Sequence, residues 1–189
     1  MSAKYSFNEK SYKRIDDINR VNRHGTNKLI EAIEKHKPSL VEAMLEQGAD
    51  IDFRTGDQTK FSSITHTVPY SKGSTPLHAA CLHGTPAIFE LLLDKGVDVN
   101  AKNEDGHTPL DYALLSYAYY KTEHEKKSES KFTLPRSVEK ALDRVEDYIV
   151  VVKKIVEAGG KTGLFELPSE FQTEQPAPAQ KNTSAPPRM

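Results

Sequence analysis

Cysteine is almost absent from this chain of 189 residues, which contains only Cys81. A single thiol cannot form a disulfide within the chain, so a reducing compartment is its natural setting. Long apolar runs are also absent, because no segment approaches the roughly 20 apolar residues that a membrane helix requires. The first ten residues, MSAKYSFNEK, lack the apolar stretch of a secretory signal peptide. These absences predict a cytoplasmic protein with no membrane segment.

Motifs for catalysis and ligand binding are lacking as well. The chain has no GxxxxGK phosphate loop, no HExxH zinc motif and no GxSxG nucleophile elbow. Its seven histidines are scattered, and Cys81 and His83 stand two residues apart, on different faces of a helix. We therefore expect no enzymatic activity, no catalytic residue, no cofactor and no metal site. The net charge of −1 gives no electrostatic footprint for nucleic acid or an anionic membrane.

What the chain does contain is an internal repeat. The segment GSTPLH at 73–78 recurs 33 residues later as GHTPLD at 106–111. In each copy the Gly permits a turn, the Thr can cap a helix, and the Pro suits the first helical position, where no N–H is needed. An interval of 33 residues is typical of stacked helical repeats. With 37% hydrophobic and 28% charged residues, the composition is that of an ordinary soluble protein with one hydrophobic core.

The repeated block resembles the ankyrin repeat, whose pattern runs GxTPLHxAAxxGxxxIVxxLLxxGADVN. Residues 73–100, GSTPLHAACLHGTPAIFELLLDKGVDVN, follow nearly all of it, and the best match extends over 73–110. A related segment, MLEQGADID, ends at Asp52, and another, IVEAGGKT, ends at Thr162. The resemblance covers about 26–162 and implies an all-α solenoid of three helix-turn-helix repeats with β-hairpin fingers. The repeats are expected at about 26–52, 73–103 and 106–162.

The spacing also predicts two insertions. Gly48 and Gly96 are 48 residues apart, 15 more than one repeat, which predicts an enlarged finger at about 53–72. Its apolar side chains either fold back on the repeats or form a contact surface. Gly96 and Gly159 are 63 apart, 30 more than one repeat, which predicts an extended helical hairpin in the last repeat, its second helix capped by Ser137.

The predicted hairpin leaves two interpretations open. Either it packs on itself and caps the stack, or it presents a tyrosine-rich surface to a partner. The tyrosines concerned are Tyr112, Tyr117, Tyr119, Tyr120 and Tyr148. At the ends of the chain, polar residues 1–25 form either a cap or a frayed segment. Residues 164–189 are Pro-rich towards their end and are expected to form a disordered tail, within which 164–168 either add a last contact with the repeats or share the disorder.

Candidate contact residues follow from the resemblance alone. Partners of ankyrin repeats usually lie on the concave surface, which is made of finger tips and exposed positions of the inner helices. The corresponding positions here are Leu82, His83, Lys102, Glu104, Asp105, His107, Leu115 and Ser116, with Glu34 and Lys35 in the first repeat. Leu82 is the main candidate, because an apolar residue at a normally exposed position suggests a buried contact. The alternative is that the enlarged finger covers Leu82.

Two functions remain in view. The first is a non-enzymatic module, an adaptor or regulatory subunit, that is monomeric alone and binds a partner protein through the concave face and the insertions. The second is a type IV secreted effector of an intracellular bacterium that binds host proteins through its repeats and is translocated into the host cell. The second depends on Glu166, Glu170 and Glu174, which resemble the Glu-rich C-terminal patches of some secreted substrates.

Overall fold

The computed structural model describes residues 18–56, 71–130 and 132–172, which form three pairs of α-helices. The pairs are α1 (Lys28–Glu34) with α2 (Pro38–Glu46), α3 (Pro76–His83) with α4 (Pro86–Asp94), and α5 (Pro109–Glu129) with α6 (Pro135–Glu157). A 3-10 turn follows at Ser169–Phe171. These described ranges contain no β-strand, so the hairpin form predicted for the fingers is not found within them.

The helices begin and end where side chains satisfy the main chain. Thr75 and Thr108 each form a capping box, in which the Thr side chain accepts from the third helical residue and that residue's side chain accepts in return. A Pro occupies the first position of five of these helices, where a missing N–H costs nothing. Gly48, Gly96 and Gly159 follow α2, α4 and α6 with φ of 86°, 79° and 84°, so each repeat ends with the same left-handed turn.

The helices form two layers that stack along the repeats. In the inner layer α1 contacts α3, and α3 contacts α5. In the outer layer α2 contacts α4, and α4 contacts α6. One continuous core lies between the layers, because each helix turns its apolar side towards the other layer. Its fully buried large side chains include Leu29, Ile33, Leu77, Ile88, Phe89, Leu92 and Leu110.

The predicted enlarged finger at about 53–72 is closed at its base by main-chain hydrogen bonds. The N–H of Thr55 donates to the Ser74 carbonyl oxygen at 2.9 Å, and the N–H of Gly73 donates to the Thr55 carbonyl oxygen at 2.8 Å. Phe53, at the start of the predicted enlarged finger, is buried. Residues 57–70 of that finger lie outside the described ranges, so the choice between folding back and forming a contact surface stays open.

The helices of the last repeat are far longer than those of the others. α5 has 21 residues and α6 has 23, whereas α3 and α4 have eight and nine. The prediction that Ser137 caps α6 is wrong, because the helix starts at Pro135 and the N-cap position belongs to Leu134, which makes no side-chain hydrogen bond. Proline at the first helical position sets φ in advance and starts the helix earlier than a Ser cap would.

Both ends of the described chain pack on the repeats. Ile18 is buried, and the Asn19 side chain bonds to the Gly48 carbonyl oxygen at 3.2 Å and the Asp50 N–H at 2.7 Å. At the other end, the expected tail begins at residue 164, but the structure shows residues 164–172 in contact with the last repeat, with Phe171 buried. Apolar side chains at Leu167 and Phe171 explain this packing. Residues 1–17 and 173–189 lie outside the described ranges.

Candidate protein-binding surface

The finger before the last repeat holds four of the candidate contact residues on one tight turn. Asn103 accepts hydrogen bonds through its Oδ1 from the N–H of Asp105 at 3.1 Å and of His107 at 2.9 Å. This Asx turn places Glu104 and Asp105 at the exposed tip, with exposed Lys102 just before it. The predicted residues Lys102, Glu104, Asp105 and His107 are therefore brought together.

Neighbouring fingers are tied to each other, which fixes the turn. The guanidinium of Arg54 donates to the carbonyl oxygens of Gly73 at 3.0 Å and Lys102 at 2.8 Å. The Lys72 ammonium lies 3.0 Å from the Glu104 carboxylate. A surface whose main chain is held in this way loses little conformational entropy when a partner binds.

Tyr112 packs against the base of the fingers and holds them in place. The repeat pattern did not predict this role. Its ring is buried between the rings of His78, at 5.5 Å, and His107, at 5.7 Å. Its hydroxyl accepts from the Ser71 N–H at 3.1 Å and the Asn103 side-chain amide at 3.2 Å. A small Ala occupies the same place in the second repeat, at position 79, so the substitution by Tyr was the available signal.

His78 has a structural role in the same network. Its Nδ1 accepts from the Thr75 N–H at 3.0 Å, and its Nε2 therefore carries the proton that it donates to the His107 carbonyl oxygen at 3.1 Å. Burial is the main reason that the pKa of His78 is lowered to about 4. The ring is thus neutral at pH 7 and joins the second and third repeats.

The structure removes three candidate residues from the exposed surface. Leu82 is 1% exposed, His83 5% and Ser116 0%. The main-chain carbonyl oxygen of Leu82 accepts hydrogen bonds from the Ser116 hydroxyl at 3.1 Å and the Tyr148 hydroxyl at 2.6 Å. The long hairpin of the last repeat therefore closes over the end of α3. Whether the enlarged finger also covers Leu82 concerns residues 57–70, which are not described.

The inner helix of the last repeat keeps an accessible face. Leu115 is half-buried, and Tyr119, four residues later on the same face of α5, is 39% exposed. Tyr119 packs edge-on against Tyr120, with ring centroids 5.2 Å apart. It is a contact candidate that the repeat pattern missed, because it lies beyond the length of an ordinary inner helix.

The other hairpin tyrosines are mostly internal. Tyr112, Tyr117 and Tyr148 are buried, and Tyr120 stacks on Tyr148 with centroids 5.2 Å apart and planes 20° apart. Four of the five tyrosines therefore pack inside the fold and stabilise it. The tyrosine-rich partner surface is reduced to Tyr119.

In the first repeat, the inner-helix position Glu34 is electrostatically unusual, whereas its neighbour Lys35 is exposed. The Oε1 atom of Glu34 is buried and has no hydrogen-bond partner. Burial, followed by the nearby charge of Glu31, raises the pKa of Glu34 to about 7. This carboxyl group changes its charge close to neutral pH.

Other kinds of site find no support in the described part of the chain. Residues 18–56, 71–130 and 132–172 contain no cluster of His, Cys, Asp and Glu able to hold a metal ion. The helices within the same ranges include none that is long and apolar enough to cross a membrane. Cys81 is buried, and burial raises the pKa of its thiol, which disfavours the reactive thiolate.

Comparison with known proteins gives a family match. Residues 29–122 match the family model described as ankyrin repeats in three copies. Human transient receptor potential cation channel subfamily A member 1 is 28% identical over 120 residues, which cover 51% of this chain and 11% of the relative. Protein phosphatase 1 regulatory subunit 27 from Mus musculus is 36% identical over 83 residues, 44% of each chain.

A bacterial protein is also similar. A putative ankyrin repeat protein from Rickettsia bellii is 29% identical over 98 residues, which cover 47% of this chain and 41% of the relative. The chain thus spans less than half the length of each of these three relatives.

Proposed function

Because this chain belongs to the ankyrin repeat family, matched over residues 29–122, we propose that it is a non-enzymatic module that binds a partner protein through its fingers and inner helices. The finer proposal is an adaptor or regulatory subunit. This proposal is supported by the similarity to a protein phosphatase 1 regulatory subunit from Mus musculus. What that relative regulates is its own property and does not identify the partner here.

The observation that carries the proposal is the rigid, charged turn at Lys102, Glu104 and Asp105. Its side chains are exposed while its main chain is held by Asn103 and Arg54. On α5, half-buried Leu115 and exposed Tyr119 offer apolar area on an inner helix of the same repeat. Charged groups that surround an apolar contact favour specificity, and aromatic anchors favour affinity.

The proposed setting is the cytoplasm, with the chain monomeric in the absence of its partner. The single, buried thiol of Cys81 suits a reducing compartment. Size-exclusion chromatography with light scattering would measure the oligomeric state directly.

A charge-reversal experiment tests the surface. The full chain and the double variant E104K/D105K are compared in affinity capture from a cell extract with quantitative mass spectrometry. The matched control is E42K/E46K, which makes the same charge change at two exposed positions of the outer helix α2. We expect E104K/D105K to reduce capture of the specific partner at least about tenfold, which corresponds to about 1.4 kcal/mol.

The control should capture the partner as the unaltered chain does. Circular dichroism would confirm that both variants are folded. Equal capture by all three folded chains would contradict the proposed surface, and so would loss caused equally by the control.

The alternative function, a type IV secreted effector, has its own test. It assumed a mobile, glutamate-rich tail, but Glu170 lies 3.5 Å from the Lys121 ammonium and the adjacent Phe171 is buried. Glu174 lies outside the described residues. A translocation reporter fused to the chain, with and without residues 164–189, would remove this alternative if neither form enters a host cell.

A further inference from the structure

A segment of twelve residues, Lys161–Gln172, lies along the last repeat and is held first through its main chain. The Thr108 hydroxyl donates to the carbonyl oxygen of Lys161 at 2.8 Å. The Asp111 carboxylate accepts from the N–H of Gly163 at 2.9 Å and from that of Leu164 at 3.4 Å. The buried carboxylate thus takes two successive main-chain N–H groups, and it does so where the segment has a glycine, since a Cβ atom at Gly163 would clash with the Gly106 carbonyl oxygen.

The other end of the segment is held through two side chains. Phe171 is 5% exposed and packs edge-on against Tyr117, with ring centroids 5.1 Å apart. Next to it, the Glu170 carboxylate lies 3.5 Å from the ammonium of Lys121, which itself lies 5.3 Å from the centre of the Tyr117 ring. An acidic residue followed by an aromatic residue therefore fits one lysine and one tyrosine of α5.

Between these anchors the Leu167 side chain packs against the core, whereas those of Leu164 and Phe165 are loosely held. Leu164 is 58% exposed, and Phe165 makes only a tilted ring contact with His107, with centroids 6.1 Å apart. Beside Phe171, a cavity of about 240 Å³ lies against α6 at Lys153, Val156 and Glu157. The segment thus leaves open space beside its buried anchor.

We propose that this face of the last repeat, formed by Asp111, Tyr117 and Lys121, is a docking site for an extended peptide with an acidic-aromatic pair, and that the chain's own segment 161–172 occupies it in cis. Two features typical of short-peptide recognition, a main-chain anchor and a side-chain pocket, are present together. Such a tethered segment has an effective concentration in the millimolar range, so an outside peptide must displace it. Phe165 of the segment contacts His107, but the site does not include the charged turn at Lys102, Glu104 and Asp105.

The test uses the full chain and a fluorescein-labelled peptide with the sequence KTGLFELPSEFQ, which is that of residues 161–172. Fluorescence anisotropy measures its binding to the unaltered chain, to F171A and to E170K. Each variant weakens the tethered segment in a different way, F171A by removing the buried ring and E170K by placing two cations together. Because Glu170 is exposed, E170K leaves the core intact. We expect F171A to bind the labelled peptide at least about tenfold more tightly than the unaltered chain, and E170K about threefold to tenfold more tightly, because an exposed ion pair contributes less than a buried ring.

A charge exchange identifies the site. Adding K121E to F171A should weaken binding of this peptide about threefold to tenfold, and a peptide with Lys in place of the glutamate that corresponds to Glu170 should restore it. Two variants serve as controls and should bind as the unaltered chain does: F132A, at a fully exposed position outside the segment, and E104K/D105K in the fingers.

Three results would overturn the proposal. They are no gain in binding by folded F171A and E170K, binding that is indifferent to K121E, and a gain produced equally by F132A. Loss of partner capture by E104K/D105K would still support the finger surface in any of these cases, so the two proposals fail independently.

Discussion

The hydroxyl of Tyr148 donates a hydrogen bond to the main-chain carbonyl oxygen of Leu82 at 2.6 Å, across 66 residues of sequence. The same ring lies over Gly84, since a Cβ atom at Gly84 would be 2.5 Å from it. Gly84 also ends α3 in the left-handed region, with φ of 57°. This glycine therefore meets two requirements at once, a turn and the close approach of the hairpin.

Replacing Gly84 with Ala should be unusually costly. We expect G84A to lower the free energy of unfolding by about 2–4 kcal/mol, the sum of a left-handed backbone cost and an overpacking cost. Urea titration followed by circular dichroism measures it. The matched control is G96A, where φ is 79° but no atom lies within 4 Å of the added Cβ. It should lose only about 1–2 kcal/mol, and an equal loss in both would show that the ring does not rest on Gly84.

Glu34 gives a prediction whose size depends on pH. Its folded pKa of about 7 lies above its ordinary value of 4.5, so the folded chain holds a proton that the unfolded chain releases. The carboxylate therefore destabilises the fold above pH 7, and the cost disappears as the pH falls towards 4.5. With allowance for partial exposure, E34Q should raise the free energy of unfolding by about 1–2 kcal/mol at pH 8 and leave it unchanged at pH 5.

Urea titrations of E34Q at the two pH values provide the measurement. E42Q, which removes an exposed charge from α2, is the control and should have no effect at either pH. A stabilisation by E34Q that is equal at pH 5 and pH 8 would argue against a buried charge.

Two neutral histidines make the fold sensitive to acid. Burial is the largest cause that lowers the pKa of His78 and of His83 to about 4, from the ordinary value of 6.5. As the pH falls below 6.5, the unfolded chain binds protons that the folded chain does not, so stability decreases. Each histidine contributes up to about 1.4 kcal/mol per pH unit. Glu34 opposes one of them between pH 6.5 and 4.5 because its own sign is reversed.

The slope of the unfolding free energy against pH measures the sum of these contributions. Between pH 6.5 and 4.5 we expect a loss of about 1–2 kcal/mol per pH unit in the unaltered chain. E34Q should steepen the slope, and H83Q should flatten it. His36, whose pKa is lowered by burial and then by Arg144, adds to the loss with the same sign. A slope that H83Q leaves unchanged would contradict a buried, neutral His83.

Local sequence signals account for the parts of the fold that depend on neighbours in sequence. The two Thr-Pro-Leu segments predicted the caps at Thr75 and Thr108. These features need only a few adjacent residues, and the family match over residues 29–122 confirms the ankyrin assignment. The Asx turn at Asn103 likewise depends on residues within four positions of it.

The sequence failed where distant segments decide exposure. The repeat pattern treated Leu82 and Ser116 as accessible, but Tyr148, far along the chain, closes over them. The repeat pattern could not show this, because an ordinary outer helix would not carry Tyr148 in this position. The role of Phe171 was missed for a similar reason, since the segment around it matches no repeat. Periodicity predicts which face of a helix is apolar, and it does not predict what covers that face.

Asp111 has two roles, since it caps α5 and also binds the main chain of segment 161–172. A single substitution can separate them. Its Oδ2 accepts from the Thr108 N–H at 2.9 Å, as the His78 ring does from Thr75, and also from the Gly163 N–H at 2.9 Å. In D111H the imidazole can keep the first bond through Nδ1 but offers no second acceptor to the main chain of the segment. Hydrogen exchange should therefore become at least about tenfold faster at the N–H groups of Gly163 and Leu164, which corresponds to about 1.4 kcal/mol of lost protection.

Exchange at the N–H of Tyr112, inside α5, should be unchanged. The control D94N alters an exposed carboxylate at the end of α4 and should leave all three rates as they are. Unchanged protection of Gly163 and Leu164 in folded D111H would mean that the carboxylate does not hold the segment.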